Sequence, residues 1–335
     1  MKVITKIDSN RKYETWPSWD LVYEWEDVMQ AELNIKMHYR LKSVYYKYIN
    51  KFMSITGISV PSCFFRSDKC FFLWEMAGSH TSRIDNRANV IPCIIDLFLR
   101  EERISDFLKA YCNNPLVLIS SAEAYSYLCD KVSKPIFHYP LSISDKYKIS
   151  PTTKYHKEYD LVLMGRLNPV LNTYLEEYVK KHPDFTYVYR VQKDSQFLYY
   201  TSKGDLLGDI NTRTQYIELM RKGKIGLYAT PGIDGGEART NGFSQVTPRF
   251  LELISCGCHI IARYKNNADT DFYQLNDFCQ SIDSYEDFEE KMNYARSNEV
   301  DMEKYTSYLE KHYTSNRVLL LKKIMEEYNK LSNKH

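Results

Sequence analysis

The chain lacks any apolar run approaching the ~20 residues that a helix needs to cross a bilayer. Its 335 residues begin with Met1 to Asn10, which are polar and charged. Neither a membrane-spanning helix nor a secretory leader is therefore expected. No C-x-x-C pair occurs among Cys63, Cys70, Cys93, Cys112, Cys129, Cys256, Cys258 and Cys279. That removes the usual zinc ligand sets and favours buried free thiols in a reducing, cytoplasmic setting. A strong charge excess is also missing, since the formal net charge is +2. A dedicated nucleic-acid binder would be more basic or carry a basic stripe, so nucleic acid is not an expected partner. There is no internal repeat and no low-complexity tract.

What is present is an ordinary apolar content and 29 tyrosines. Tyrosine in that number suits amphipathic packing, with sugar stacking as a second use. The length exceeds one ordinary domain and implies two of about 150–180 residues.

Short apolar runs alternate with helical patterns. Lys2 to Asp8, Phe71 to Trp74, Val90 to Ile95, Leu116 to Ile119 and Pro135 to Tyr139 read as strands. Residues 20 to 35 and Ser121 to Val132 read as helices, Ser121 standing as an N-cap. Ser144 to Glu158 is polar and reads as a linker. The alternation then restarts: strands at Asp160 to Met164, Phe185 to Tyr189 and Ile225 to Tyr228, helices at Leu171 to Lys181 and Thr214 to Lys222. This pattern predicts two α/β domains, each built on a Rossmann-like doubly wound parallel sheet. The expected division is 1–150, 151–312 and a closing helix over 313–335, whose apolar stripe is Val318, Leu321, Ile324, Met325, Tyr328 and Leu331.

The most informative stretch is Thr247-Pro-Arg-Phe-Leu-Glu-Leu-Ile-Ser-Cys-Gly257, followed by His259 to Tyr264. Thr247 is the expected N-cap, Pro248 suits the first helical position, and Gly257 suits a left-handed C-cap. Open N–H groups at such a start attract phosphate, and Arg249 adds a fork of donors. Glu252 lies three residues on, on the same helical face. A cation at the mouth and a carboxylate one turn deeper suit a nucleoside diphosphate, or else form a local ion pair. Ahead of this helix runs the glycine-rich stretch Pro231 to Gly242, where Glu237, Arg239 and Asn241 could meet a sugar or simply line a surface turn.

These residues resemble the donor-binding helix of GT-B glycosyltransferases, the group 1 family and its relatives, of bacterial polysaccharide type. Asp160 to Arg166, Phe278 to Phe288 and Tyr313 to Leu331 follow in the family's order, and the resemblance covers roughly the last half of the chain. It implies two domains facing a cleft, with the closing helix returning to the N-terminal one. It implies a metal-independent transfer of a sugar, with no cofactor, from a nucleotide-sugar donor to a glycan or lipid-linked glycan acceptor. By the same resemblance Gly165, Arg166, Glu237, Thr247, Arg249 and Glu252 bind the donor. Many retaining members carry two glutamates eight residues apart, whereas here that count from Glu252 reaches Ser244, so Glu237 or Asp234 would have to substitute.

An inverting transfer needs a base, and in this fold it comes from the N-terminal domain. His80, Glu75 and Asp8 are the candidates, with Asp96 as a rival. Asp269-Thr-Asp271, the one Asp-x-Asp spacing, falls in a polar loop and is not read as a metal site. Lys36 to Phe52 mixes bases with aromatics. It reads as an ordinary amphipathic helix or as a peripheral contact with the inner face of a membrane. The alternatives to a transferase are a nucleotide-sugar epimerase on the same scaffold and a non-catalytic glycan- or nucleotide-binding protein. A nucleic-acid-modifying sugar transferase is disfavoured by the charge balance.

Overall fold

A computed structural model of the chain describes residues 3–12, 14–15, 17–39, 48, 51–52, 55–56, 70–76, 87–99, 101–193, 196–235 and 240–332. The chain divides into two compact units, Met1–Asp145 with Tyr313–His335, and Lys146–His312.

In the first unit β1 (Ile4–Ser9), β2 (Lys36–Tyr39), β3 (Cys70–Met76), β4 (Val90–Ile95), β5 (Val117–Ile119) and β6 (Ile136–His138) form one sheet. Its order is β2-β1-β3-β4-β5-β6. Every pairing is parallel. β4 reads as an unbroken apolar run because all its residues are buried. The helix Pro17–Leu33 places Val22, Trp25 and Met29 against one sheet face, and the last helix, Thr314–Ser332, adds Val318, Leu321, Ile324 and Met325 to the same core. Trp25 and Trp74 meet at 5.0 Å, and the Trp25 indole N–H donates to the Ser142 carbonyl at 3.1 Å. The last helix is tied to the exit of β6 by Arg317, whose Nε donates to the Pro140 carbonyl.

One expectation is corrected here. Lys36–Tyr39 is not the start of a helix but the edge strand β2, paired with Lys6 to Ser9. Residues 40–47 and 49–50 of that basic, aromatic segment lie outside the described residues.

The second unit holds β7 (Tyr159–Val162), β8 (Tyr187–Lys193), β9 (Gln196–Thr201), β10 (Leu206–Asp209), β11 (Gly223–Ala229) and β12 (His259–Arg263). Their order is β10-β9-β8-β7-β11-β12. β7, β8, β11 and β12 are parallel. β9 and β10 extend this sheet as an antiparallel meander, which was not expected from the sequence. Tyrosines serve packing and backbone bonding together: the Tyr305 hydroxyl donates to the Cys258 carbonyl at 2.8 Å and Tyr308 to the Tyr273 carbonyl at 2.7 Å. Cys70, Cys93, Cys256, Cys258 and Cys279 are buried free thiols, Cys112 is half-buried and Cys129 exposed.

Candidate functional site

The helix Arg249–Ser255 follows β11. Pro248 is already helical, with φ −55° and ψ −22°, which its ring favours. The Thr247 side chain does not cap this helix, contrary to expectation. Its carbonyl accepts from the Phe250 N–H at 3.1 Å, and its own N–H donates to the Tyr228 hydroxyl at 2.9 Å. The far end matches the sequence reading. Gly257 has φ +61°, its N–H donates to the Ile254 carbonyl, and the Cys258 N–H donates to the Leu253 carbonyl, both at 3.0 Å. This is a Schellman stop, and it turns the chain directly into β12.

Three predicted donor-site residues come together at the helix start. Gly165, just beyond β7, has φ +72°, and a Cβ built on it would lie 1.9 Å from Nη2 of Arg249. The guanidinium therefore rests on bare backbone. Its Nη1 donates to the Arg166 carbonyl at 3.2 Å, while Nε is buried without a hydrogen-bond partner. Burial opposes the charge of Arg249, but Tyr216 and Glu252 outweigh it and hold the group above its ordinary value. Tyr216 is pushed up to about 12, first by burial, with Arg249 acting the other way. Tyr228 is pushed up to about 12 by burial, eased by its bond to Thr247. The result is a fixed cation walled by neutral phenols, a surrounding that strengthens its attraction for an anion.

Glu252 does not share an ion pair with Arg249. It is 3% exposed, and its Oε1 accepts from Nη2 of Arg213 at 2.6 Å. Arg213 was not among the predicted site residues. The signal that could have found it is the Thr212-x-x-Gln215 capping box, which the structure shows in full and which sets Arg213 at the first helical position. Arg213 also lies over the rings of Tyr147 and Tyr216, at 5.7 and 5.5 Å.

The glycine-rich loop is pinned at Asp234, which has φ +54°. Its carboxylate accepts from Arg263 at 2.6 and 2.8 Å and from the Asn168 amide at 2.9 Å. The Arg263 bond holds Asp234 below the usual carboxylate range. Ser244 donates to the Thr230 hydroxyl at 2.6 Å. Glu237 and Arg239 lie outside the described residues. Asp269 and Asp271 belong to the short helix Ala268–Phe272, capped by Asn267. Among the described residues no group of three or more His, Cys, Asp or Glu side chains is placed to hold a metal ion.

In the first unit, ligands of a parallel sheet are expected beyond the carboxyl ends of the strands. Asp8, near the end of β1, is 0% exposed and is held from both sides. Oδ1 accepts from His38 Nδ1 at 2.5 Å and Oδ2 from Arg87 Nη2 at 2.7 Å. Glu75, near the end of β3, is buried and accepts from the Tyr111 hydroxyl at 2.8 Å. Beside Asp8, Ser9 donates to Glu26 at 2.6 Å. Burial pushes the Glu26 carboxyl up to about 8, against the lowering effects of Ser9 and Arg11. Asp96, after β4, has φ +57°. His80 lies outside the described residues. His38 and Glu26 were not among the predicted residues.

Residues 180–322 match the family model described as glycosyl transferase-like. No curated protein matches the sequence. Among solved structures, the fold is similar to that of AviGT4, a glycosyltransferase involved in avilamycin A biosynthesis, at 10% identity, 98% of each chain and a TM-score of 0.56. It is similar to the pneumococcal O-GlcNAc transferase GtfA solved with UDP and GlcNAc, at 12% identity and a TM-score of 0.50 over 84% of this chain. The chain spans 60% of that protein's length. It is also similar to a Listeria monocytogenes protein assigned as a UDP-N-acetylglucosamine 2-epimerase, at 10% identity, 98% of each chain and a TM-score of 0.50. The chain has the GT-B fold, with two Rossmann-like units.

Proposed function

We propose that this protein transfers a sugar from a nucleotide-sugar donor to a glycan or lipid-linked glycan, in building a bacterial surface polysaccharide. The observation that carries the reading is Arg249 seated on Gly165, with Arg166 beside it. Two arginines at one strand end and one helix start suit a diphosphate, whose negative charge grows as the sugar leaves. That arrangement can neutralise the leaving group without a metal ion. Glu252, held by Arg213, would act by fixing this wall of the site, its second oxygen being the part left for a donor hydroxyl. A UDP-linked sugar is the first donor to try, because one similar protein was solved with UDP and GlcNAc.

A thermal-shift series with UDP, GDP, UDP-GlcNAc and GDP-mannose tests the reading, since a true donor stabilises by mass action. Replacing Arg249 with Ala should abolish the shift while leaving the ligand-free melting temperature nearly unchanged. No nucleotide response in the wild type would sink the proposal. The epimerase alternative shares the fold. Conversion of UDP-GlcNAc with no acceptor added would decide for it. A lipid-linked acceptor would draw the protein to a membrane surface. Co-sedimentation with anionic liposomes at low salt tests this, and no binding would remove the idea. No helix among the described residues is long and apolar enough to cross a membrane.

A further inference from the structure

We infer that the second unit pairs with a second copy of this chain along β10, strand against antiparallel strand, with Leu206 of one copy opposite Leu206 of the other. The inference is independent of the transferase reading above. β10 ends its sheet and, among the described residues, pairs on one side only, with β9. The backbone groups on the outer side of such a strand are a template for another strand. The opposite edge of the sheet is covered. There the Ile282 N–H donates to the Ala262 carbonyl of β12 at 2.8 Å, and the Tyr264 N–H donates to the Ser281 hydroxyl at 3.0 Å. Edge strands that stay single are commonly guarded by lysine or proline. β10 reads Leu206-Leu-Gly-Asp209 and has neither, and its leucines are 57% and 38% exposed.

The strand's own register argues for a second copy as the occupant. Tyr189 pairs with Tyr200, and Tyr200 with Leu206, so the three form a row across one sheet face. The two tyrosine rings stack at 5.9 Å. Val191 follows Tyr189 by two residues, on the same face, and is 40% exposed. A two-fold axis through Leu206 continues this row into the same row of the second copy. Each leucine then covers the other, which is an isologous contact. The charges select this register. With Leu206 on Leu206, Gly204 lies opposite Gly208, and Lys203 in the β9–β10 turn lies opposite Asp209, once on each side of the axis. With Leu207 on Leu207, Asp205 would face Asp209, and like charges across a ladder repel. Asp209 has room for a cation: its Oδ2 accepts from the Asn211 amide at 2.7 Å, while Oδ1 has no hydrogen-bond partner among the described residues. Lys203 is exposed. The net charge of +2 sets little general repulsion between copies. β10 is short and its register shifts between Leu206 and Gly208, so a micromolar dimer is expected rather than an obligate one.

Sedimentation velocity on the full chain, from about 1 to about 200 µM at low salt, tests this. A monomer–dimer equilibrium should appear in that range. Leu206→Lys should weaken it about tenfold or more, by setting two ammonium groups face to face. Lys203→Asp should weaken it severalfold. The double change Lys203→Asp, Asp209→Lys should return it to within about threefold of wild type, because the swap rebuilds each pair across the axis. Melting curves check that each variant folds. A chain that stays monomeric at about 200 µM overturns the inference and leaves the edge to a strand of another protein. A dimer indifferent to Leu206→Lys places the contact elsewhere and overturns it too. A charge swap that fails to restore dimerisation rejects the register, and the inference with it. Nucleotide binding is measured separately, so the transferase reading stands or falls on its own.

Discussion

Arg249 lies where it does because residue 165 is glycine: a Cβ there would stand 1.9 Å from its Nη2. The strand end and the helix start are thus one unit. Gly165→Ala adds a methyl group and strains a backbone at φ +72°, costing about 1 kcal/mol. The flexible guanidinium would swing away rather than unfold the protein. UDP affinity should fall about tenfold or more, as expected when one charge-assisted contact is lost. Titration calorimetry beside a melting curve separates the two effects. An unchanged affinity would show that Arg249 does not meet the diphosphate.

Arg213 and Glu252 form a buried pair 2.6 Å apart. Breaking such a pair leaves a charge stranded. Arg213→Ala should destabilise by about 3–5 kcal/mol, and the double change Arg213→Met, Glu252→Leu should recover much of that. Denaturant unfolding of both variants checks it. Equal stability of the single and double variants would mean the pair is already wet.

Glu26 introduces a pH dependence with a defined sign. Its carboxyl is held at about 8 in the fold, against 4.5 ordinarily. Between these values the folded state binds the proton more tightly than the unfolded chain. Its contribution is fully present below about 4.5 and is lost as pH rises to about 8, with a slope of at most about 1.4 kcal/mol per pH unit. Glu26→Gln should raise the melting temperature at pH 8.5, leave it nearly unchanged at pH 4.5, and flatten the slope between. A parallel shift at every pH would assign the effect to packing instead.

Tyr305 and Tyr294 separate structural from surface tyrosines. Tyr305 is buried with its hydroxyl on the Cys258 carbonyl, whereas Tyr294 is 62% exposed. Tyr305→Phe should cost about 1–2 kcal/mol by orphaning that carbonyl, and Tyr294→Phe less than about 0.5 kcal/mol. Chemical denaturation reads both.

What was legible in the chain was local. The buried run Val90 to Ile95, the cap at Ser121, the stop at Gly257 and the apolar stripe from Val318 to Met325 each follow from interactions a few residues apart. Periodicity and caps therefore determined the parallel α/β character and the helix that carries Arg249. A local reading failed where a distant partner intervened, and residues 196–209 had been given none. Lys36–Tyr39 became a strand because β1 offered an open edge, and β9 and β10 folded back on β8 rather than crossing over. The site was decided by tertiary structure almost wholly. Spacing alone pairs Glu252 with Arg249, yet Arg213, 39 residues away, holds it. Nor can spacing reveal that Asp8 is held between His38 and Arg87, 30 and 79 residues off. Charges choose partners by distance and burial, and both exist only once the sheets have formed.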